Sequence, residues 1–355
     1  MEMMDYIKQQ TPVLGRILAN RVGYVSKFVT LFKENRPDHI YLIASGTSKN
    51  ASKAASPFME KVLGVEVSSM SSSSASSFFG KRPLLIYVSQ GGNSTNTISA
   101  IKLNKGYLSI ALTGNENGAI NTMCENYCEI PCGEENVGPK TKGYTSTILL
   151  LYLFALEASL SCSIIARDQY DDAIASLEKT ISAIDENIDR SICWIESNRQ
   201  ELEDTRCAYI VGKGCDSEVS KESALKLMET LLIPSCGFEF EEFLHGPSCS
   251  IDKDISGFYF MPQKNDVEDY NRFQSLIKYH RNYSSSVFSI GNEEPCDKRN
   301  LNLILNDNIY LRPFEYIIPM QIISAMIPQA KSLDGVGHDR FATLNAILKT
   351  KAKQE

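Results

Sequence analysis

The sequence predicts an α/β protein built from two similar domains, each with a parallel β-sheet flanked by helices in a three-layer αβα arrangement. Short apolar runs alternate with stretches of helical periodicity, as expected for buried parallel strands and their covering helices. The same order of strand, glycine-containing turn and helix occurs in both halves. A length of 355 residues also exceeds one ordinary core and indicates two domains.

The first half contains three predicted strands, at residues 40–44, 84–88 and 107–112. A helix is expected over about 49–63 and another after the second strand. The serine-rich piece 68–77 is interpreted as a polar connection.

In the second half, a strand over 208–211 leads into a helix that extends to about residue 232. Further strands are predicted at 257–261, 286–290 and 309–311. A long helical stretch over about 168–199 should link the halves, and a last helix is expected over 341–351. The resulting domain limits are 1–165, 166–200 for the linking helix, and 201–355.

Composition and charge restrict the class of protein. Hydrophobic residues make up 43% and charged residues 22% of the chain, which is typical of a globular fold. The formal net charge of −7 argues against non-specific binding to nucleic acid or an anionic membrane. No segment has the roughly 18 uninterrupted apolar residues of a membrane span, and the N-terminus lacks a signal-peptide pattern. We expect neither a nucleic-acid nor a membrane partner.

Ten cysteines without an export signal predict free thiols in a reducing compartment, and hence a cytoplasmic protein. Cys124, Cys128 and Cys132 are close in sequence, but their spacing matches neither zinc ribbons nor iron–sulfur motifs. We interpret them as structural thiols and expect no metal site.

Two polar loops follow predicted strands of the first half, Ser45-Gly-Thr47-Ser48 and Ser89-Gln90-Gly-Gly-Asn-Ser94. Each opens a helix, where free backbone N–H groups and the helix dipole favour an anion. Since the carboxyl ends of parallel strands converge, two such loops predict a phosphate site. The alternative is ordinary N-capping by short polar side chains. Neither a P-loop nor a Gly-x-Gly-x-x-Gly motif is present, which argues against nucleotide binding.

A candidate acid–base pair lies in the second half. Glu222, Lys226 and Glu229 are spaced i, i+4 and i+7, so they share one face of the predicted helix. His245 follows at a Gly-Pro turn. A buried carboxylate and an imidazole can serve as general base and general acid. The alternative is a solvated charged helix face and a histidine that bonds backbone.

Together these residues resemble the sugar isomerase (SIS) family over about residues 25–340, as two SIS domains. The two loops are similar to the family's phosphosugar loops, and residues 135–145 to the segment that lines the sugar site. The run from Glu222 through Glu229 to His245 resembles two SIS enzyme types in spacing and residue type. They are the isomerase domain of glutamine:fructose-6-phosphate amidotransferase and the Amadori-product deglycases.

The resemblance implies a role for each candidate residue. Glu229 would move a proton between C1 and C2 of the sugar, and His245 of a neighbouring subunit would assist ring opening and oxygen protonation. The protein would therefore be a homodimer or a higher homo-oligomer. Sugar contacts are expected from Thr141, Lys142 and Lys226. The phosphate would be held by Ser45, Thr47, Ser48, Ser89, Gln90 and Ser94.

Three departures from the family pattern bear on the reaction. Gly91 stands where the family's phosphate loop has serine, which removes one hydroxyl. The amidotransferase carries an N-terminal glutaminase domain, whereas this chain begins with the SIS region. In the tail Asp334–Leu344, Leu344 lies near the place of the amidotransferase's catalytic lysine. We therefore do not expect ammonia transfer from glutamine.

The expected reaction is cleavage of a fructoselysine or glucoselysine 6-phosphate, or a similar glycated amine, to a hexose 6-phosphate and the free amine. This chemistry requires no cofactor. One alternative is an amino-sugar 6-phosphate isomerase or deaminase with the same acid–base pair. Another is a phosphosugar-sensing module, although the short segment before Tyr41 hardly accommodates a DNA-binding helix-turn-helix.

Overall fold

Each half of the chain folds around its own five-stranded, fully parallel sheet. The structure is a computed structural model that describes residues 2–292, 297–333 and 335–352. Two compact units are formed. The N-terminal unit comprises Pro12–Asn136, Lys140–Glu178 and Phe341–Glu355, and the C-terminal unit comprises Met1–Thr11, Val137–Pro139 and Lys179–Arg340.

The sheet of the N-terminal unit has the order β2-β1-β3-β4-β5. Its strands are β1 (His39–Ala44), β2 (Glu66–Ser71), β3 (Pro83–Val88), β4 (Leu108–Thr113) and β5 (Asn126–Glu129). The sheet of the C-terminal unit has the order β10-β9-β8-β6-β7. Its strands are β6 (Cys207–Gly212), β7 (Ser235–Glu239), β8 (Ile255–Phe260), β9 (Val287–Gly291) and β10 (Asn300–Asn302).

Fifteen helices are assigned within the described ranges. The first eight are α1 (Met3–Lys8), α2 (Gln10–Ala19), α3 (Arg21–Asn35), α4 (Gly46–Leu63), α5 (Thr95–Leu103), α6 (Lys142–Ser161), α7 (Arg167–Ser182) and α8 (Ile184–Ser197). The others are α9 (Arg199–Glu203), α10 (Asp216–Thr230), α11 (Phe240–Leu244), α12 (Val267–His280), α13 (Arg312–Glu315), α14 (Ile317–Ala330) and α15 (Val336–Leu348).

Apolar side chains cover both faces of each sheet. In the N-terminal unit, α6 packs against α3 and α4, while Ala100 and Ile101 of α5 join a core with Tyr41, Leu85 and Tyr87. In the C-terminal unit, α10 packs against α14, and helices α11 and α12 contribute Phe240, Phe243 and Phe273 to the other core. The predicted three-layer αβα arrangement of two domains is confirmed.

The compact units do not follow the proposed domain limits at the chain ends. Tyr6 and Ile7 of α1 are buried, α1 packs against α14, and Gln10 donates to Gln321, so the first residues join the C-terminal unit. The final residues join the N-terminal unit. Compact units and domain limits are different divisions of the chain, and the limits 1–165, 166–200 and 201–355 stay a prediction.

Several sequence-based elements need correction. Residues 309–311 form a 3₁₀ turn instead of a strand, because the Asn308 side chain accepts from the Tyr310 N–H and starts a turn. The serine-rich piece 68–77 is a polar connection only in part, since Ser68 to Ser71 pair with β1. The stretch 168–199 is divided among α7, α8 and the start of α9, and the last helix, α15, begins five residues earlier than predicted.

Helix α6 is long and apolar enough to cross a membrane by length and composition alone. Of the tested window, 89% is buried inside the protein, as in the core helix of a globular domain. Such a helix is weak support for a membrane span.

The nine cysteines in the described part of the chain are free thiols, and Cys296 lies outside the described residues. Burial raises the pKa of Cys128 and Cys132 to about 11, so these thiols are neutral near pH 7. This fits structural thiols. The reducing, cytoplasmic compartment stays a prediction.

Candidate active site

The two polar loops lie at the carboxyl ends of β1 and β3, which are neighbours in the sheet. The Ser48 hydroxyl accepts a hydrogen bond from the Gln90 backbone N–H at 3.3 Å, so the loops touch. Gly92 has a φ of +69°, and a Cβ there would lie 2.6 Å from the Cα of Gly118. The second loop therefore needs glycine at this position to form its turn. The loops converge as predicted.

Ser45 and Ser94 occupy the N-cap positions of α4 and α5. In the described chain, neither side chain makes the usual capping hydrogen bond to its helix. Ordinary capping therefore does not explain these two serines. The arrangement leaves two hydroxyls beside two helix N-termini, where an anion is favoured.

The other predicted phosphate residues are placed differently. Thr47 and Ser48 are half-buried in the first turn of α4, and Ser89 is buried at the end of β3. The side-chain amide of Gln90 is directed away from the loop, donating to the Cys132 thiol at 2.8 Å. Gln90 therefore contributes the backbone of the loop, while its side chain fastens that loop to the neighbouring segment.

Glu135 organises the segment predicted to line the sugar site. One of its carboxylate oxygens accepts from the Thr141 N–H and hydroxyl, both at 2.6 Å, and the other accepts from the Gly143 N–H at 3.0 Å. These bonds satisfy backbone donors at the start of α6. Thr141 is fully buried and Lys142 nearly so. Both predicted sugar-binding residues thus belong to a preorganised wall, with the Thr141 hydroxyl already bonded to Glu135.

In the C-terminal unit, α10 carries a charged cluster on one face. The ammonium of Lys226 lies 3.2 Å from a carboxylate oxygen of Glu222 and 2.6 Å from one of Glu229. The side chains of Glu222 and Lys226 are fully buried, whereas that of Glu229 is 35% exposed. The solvated-face alternative is therefore wrong for Glu222 and Lys226. The expectation that the catalytic carboxylate is buried is also wrong, since Glu229 reaches solvent.

Lys226 is positively charged and lies between the carboxylates of Glu222 and Glu229. Burial alone would lower the pKa of Lys226, but the charges of Glu222 and Glu229 outweigh it and raise that pKa. Lys226 is therefore a fixed cation that holds the Glu229 carboxylate. Because the Lys226 side chain is fully buried, its predicted contact with a sugar stays a prediction.

His245 ends the short helix α11. The Glu239 carboxylate starts this helix by accepting from the N–H groups of Glu241 and Glu242, and Phe240 and Phe243 anchor it in the core. The His245 side chain is exposed. Among the described residues, no hydrogen bond or ion pair joins His245 to Glu229. Its supply to a neighbouring subunit stays a prediction.

The first turn of α15 lies against α10. A Cβ on Gly337 would lie 1.9 Å from the carbonyl oxygen of Glu229, so only glycine permits this approach. A Cβ on Gly138 would lie 3.3 Å from Nδ1 of His338, which places that ring beside the 137–139 loop. Sequence reasoning gave His338 no role, and Asp334 lies outside the described residues.

Within the described ranges, no group of three or more His, Cys, Asp or Glu side chains is arranged to hold a metal ion.

Two features of the loops were not anticipated from the sequence. They are the bonds of Gln90 to Cys132 and the contacts of the C-terminal residues with Asn93 and Thr95. The second could not be recognised because it joins residues more than 250 positions apart in sequence.

The fold and these sites define a double α/β protein with an anion-favouring loop pair and a carboxylate–lysine cluster. The SIS domain family profile matches residues 34–157. A solved structure from Clostridium difficile 630, named as a phosphosugar isomerase, is 30% identical, with a TM-score of 0.85 and 94% coverage of both chains. The chain belongs to the SIS domain family.

Two curated relatives are longer than this chain. The isomerizing glutamine–fructose-6-phosphate aminotransferase of Streptococcus pneumoniae serotype 4 is 25% identical over 94% of this chain and 56% of its own length. That of Staphylococcus aureus strain COL is 29% identical over 61% of this chain and 36% of its own length. The matched regions therefore span from about a third to about half of these relatives.

Proposed function

We propose that this SIS-family chain is a phosphosugar deglycase. Its substrate is an amine glycated by a hexose 6-phosphate, of the fructoselysine or glucoselysine 6-phosphate type. The products are a hexose 6-phosphate and the free amine. The observation that carries the proposal is the Glu229 carboxylate, which reaches solvent on one side and is held by the buried Lys226 ammonium on the other.

The position of Glu229 suits a general base. A carboxylate that must take a proton from carbon needs one fixed orientation and an open side for the substrate. Lys226 supplies the fixed orientation at 2.6 Å, and the exposed fraction of Glu229 supplies the open side. Glu222 keeps the buried Lys226 charge paired when Glu229 is neutralised by the proton it accepts.

The loop pair suits the phosphate of the substrate. Ser45 and Ser94 stand at two helix N-termini without capping them, within the described chain, and Ser48 is held against the second loop. Hydroxyls and backbone N–H groups at such positions bind phosphate without a P-loop lysine. A 6-phosphate thus provides binding energy remote from the reacting carbons.

The reaction balances with water as the only co-substrate. In a ketosamine, Glu229 removes a proton from C1, beside the C2 carbonyl, to give an enolamine. Return of the proton to C2 produces an imine at C1, and water adds to that carbon. The C–N bond then breaks, the amine leaves with a proton, and C1 becomes the aldehyde of the hexose 6-phosphate. In an aldose that carries the amine at C2, Glu229 removes the proton from C2 and returns it to C1. The imine then forms at C2, and its hydrolysis releases the amine and a ketose 6-phosphate.

The second candidate is an amino-sugar 6-phosphate isomerase or deaminase. The names of the relatives favour it, since the Clostridium difficile protein is named as an isomerase and the Streptococcus relative as an isomerizing aminotransferase. Both candidates use the same proton transfer between C1 and C2. We do not propose ammonia transfer from glutamine, because Leu344 lies near the place where the resemblance puts the aminotransferase's lysine.

Substrate profiling separates the candidates. Release of hexose 6-phosphate from fructoselysine 6-phosphate and glucoselysine 6-phosphate is measured beside turnover of glucosamine 6-phosphate and fructose 6-phosphate. The deglycase proposal requires release of free lysine in equal amounts with the hexose 6-phosphate. Turnover of glucosamine 6-phosphate alone, with neither lysine conjugate cleaved, gives the function to the second candidate.

A further inference from the structure

Residues near the C-terminal end of the described chain form a small antiparallel pairing with the second polar loop. We call residues Lys349–Ala352 the C-terminal strap. The Ala352 N–H donates to the Asn93 carbonyl at 2.9 Å, and the N–H and hydroxyl of Thr95 both donate to the Thr350 carbonyl, at 3.1 and 3.0 Å. Lys351 lies directly opposite Ser94 in this pairing. The strap therefore brackets the N-cap of α5.

Specific contacts fix the strap after α15. Lys349 adopts a left-handed φ of +51°, which ends the helix, and its N–H donates to the Asn345 carbonyl at 2.7 Å. The Asn345 side-chain oxygen accepts from the Thr350 hydroxyl at 2.5 Å and from the Lys351 N–H at 3.0 Å. One asparagine thus orients two of the strap residues that meet the loop, Thr350 and Lys351.

The pairing determines where the Lys351 side chain starts. Residues directly opposite in an antiparallel pair project to the same face, with their Cβ atoms about 5 Å apart. Lys351 therefore shares a face with Ser94, whose hydroxyl makes no capping bond to α5 in the part of the chain that the structure describes. The Lys351 ammonium lies 5.4 Å from the centre of the Phe341 ring, a weak cation–π contact at an exposed site. An anion at Ser94 would bind that ammonium more strongly.

We propose that Lys351 is a substrate-binding residue that neutralises the 6-phosphate held at the Ser94 loop. This inference rests on the proposed phosphate site and adds the charge that the serine loops lack. The second loop carries Gly91 where the family has a serine, so one hydroxyl donor is absent. A lysine delivered by the strap compensates with a full positive charge on a flexible stem.

The test is calorimetric titration of the full chain with glucose 6-phosphate and with inorganic phosphate. Lys351→Gln should weaken glucose 6-phosphate binding about tenfold, since a charge-assisted hydrogen bond is lost. Lys351→Arg should stay within about threefold of wild type because it keeps the charge. Lys349→Gln is the matched control, with the same change of charge in the same strap but no pairing with Ser94. It should bind like the wild type.

The outcomes separate this inference from the phosphate site itself. If Ser48→Ala weakens binding and Lys351→Gln does not, the loop site stands and the role of Lys351 is wrong. Equal losses of affinity in Lys349→Gln and Lys351→Gln would show that only the total positive charge of the strap matters, and this would overturn the inference. Tighter binding by Lys351→Gln overturns it too, because the strap would then compete with the anion. A folded wild type that binds neither ligand removes the proposed phosphate site and the inference together.

Discussion

The ammonium of Lys226 lies 2.6 Å from a carboxylate oxygen of Glu229, one turn along α10. The same ammonium lies 3.2 Å from Glu222, and neither Lys226 nor Glu222 is exposed. Two carboxylates thus share one buried cation, and only one of them reaches solvent. Removing the Lys226 charge takes its ammonium away from both carboxylates, and Glu222 would then carry its charge in a low-dielectric environment.

Lys226→Met should lower the free energy of unfolding by about 3 kcal/mol, because the buried Glu222 carboxylate loses the Lys226 ammonium 3.2 Å away. Turnover should also fall, since Glu229 loses its orientation. The double variant Glu222→Gln, Lys226→Met removes the buried charges together and should recover much of the stability without recovering turnover. Urea unfolding and steady-state kinetics measure the two effects. An active double variant would show that Lys226 serves the fold alone.

Glu229→Gln should lower turnover about 10²- to 10⁴-fold, because the amide keeps the shape but cannot accept a proton from carbon. Substrate affinity should change little. Glu218→Gln on the same helix is the matched control and should retain activity. Exchange of the C1 or C2 proton with deuterated water, followed by NMR, reports the same step without requiring product release. Near wild-type exchange in Glu229→Gln would remove Glu229 as the base.

The fold could be predicted where burial dictates the residue pattern. Strands β1, β3, β4, β6, β8 and β9 are apolar runs, because both faces of a parallel sheet are covered, and all six were predicted. Strands β2 and β10 lie at sheet edges and carry serine and asparagine, so they lack that pattern. Propensity also favoured a strand at 309–311, where the local bond of Asn308 produces a turn instead.

The candidate site, too, could be predicted only where its features depend on local sequence. Glycine and serine at strand ends predicted the loops, because that chemistry is local. The burial of Glu222 and Lys226 could not be read from spacing, since an i,i+4 pair is usually solvated. The pairing of Lys351 with Ser94 joins distant parts of the sequence and depends on the path of the whole chain.

Ser94→Ala should separate ligand binding from helix capping. Because the Ser94 hydroxyl does not cap α5 within the described chain, its loss should change the free energy of unfolding by less than about 0.5 kcal/mol. Binding of a 6-phosphate sugar should weaken about tenfold, and that of the unphosphorylated sugar should not change. Asp266→Ala is the control, since Asp266 does cap α12 and its loss should cost about 1 kcal/mol. A similar stability loss in both variants would restore the capping explanation.

Asp216→Asn should make stability less dependent on pH. Burial raises the pKa of Asp216 to about 8; the charge of Arg312 lowers this pKa and that of Glu315 raises it. Burial also raises the pKa of Glu315, to about 7. Between about pH 4 and pH 8 the folded state keeps a proton that the unfolded chain has released, so stability falls as pH rises through this window. The variant should remove about 1 kcal/mol per pH unit from that slope. Urea unfolding from pH 5 to pH 9 measures it, and an unchanged slope would contradict the assigned shift.

Mixing two inactive variants tests whether His245 acts across a subunit boundary. Glu229→Gln and His245→Ala should each be nearly inactive alone. If the site is shared between subunits, a mixed dimer contains one intact Glu229–His245 pair and should recover up to about half of wild-type activity, because catalysis requires both groups in one geometry. Recovery should follow the rate of subunit exchange and disappear when the dimers are cross-linked before mixing. Light scattering establishes the oligomer, and exchange is followed with differently labelled subunits. Complete exchange without recovered activity would place both residues of a working site in the same chain.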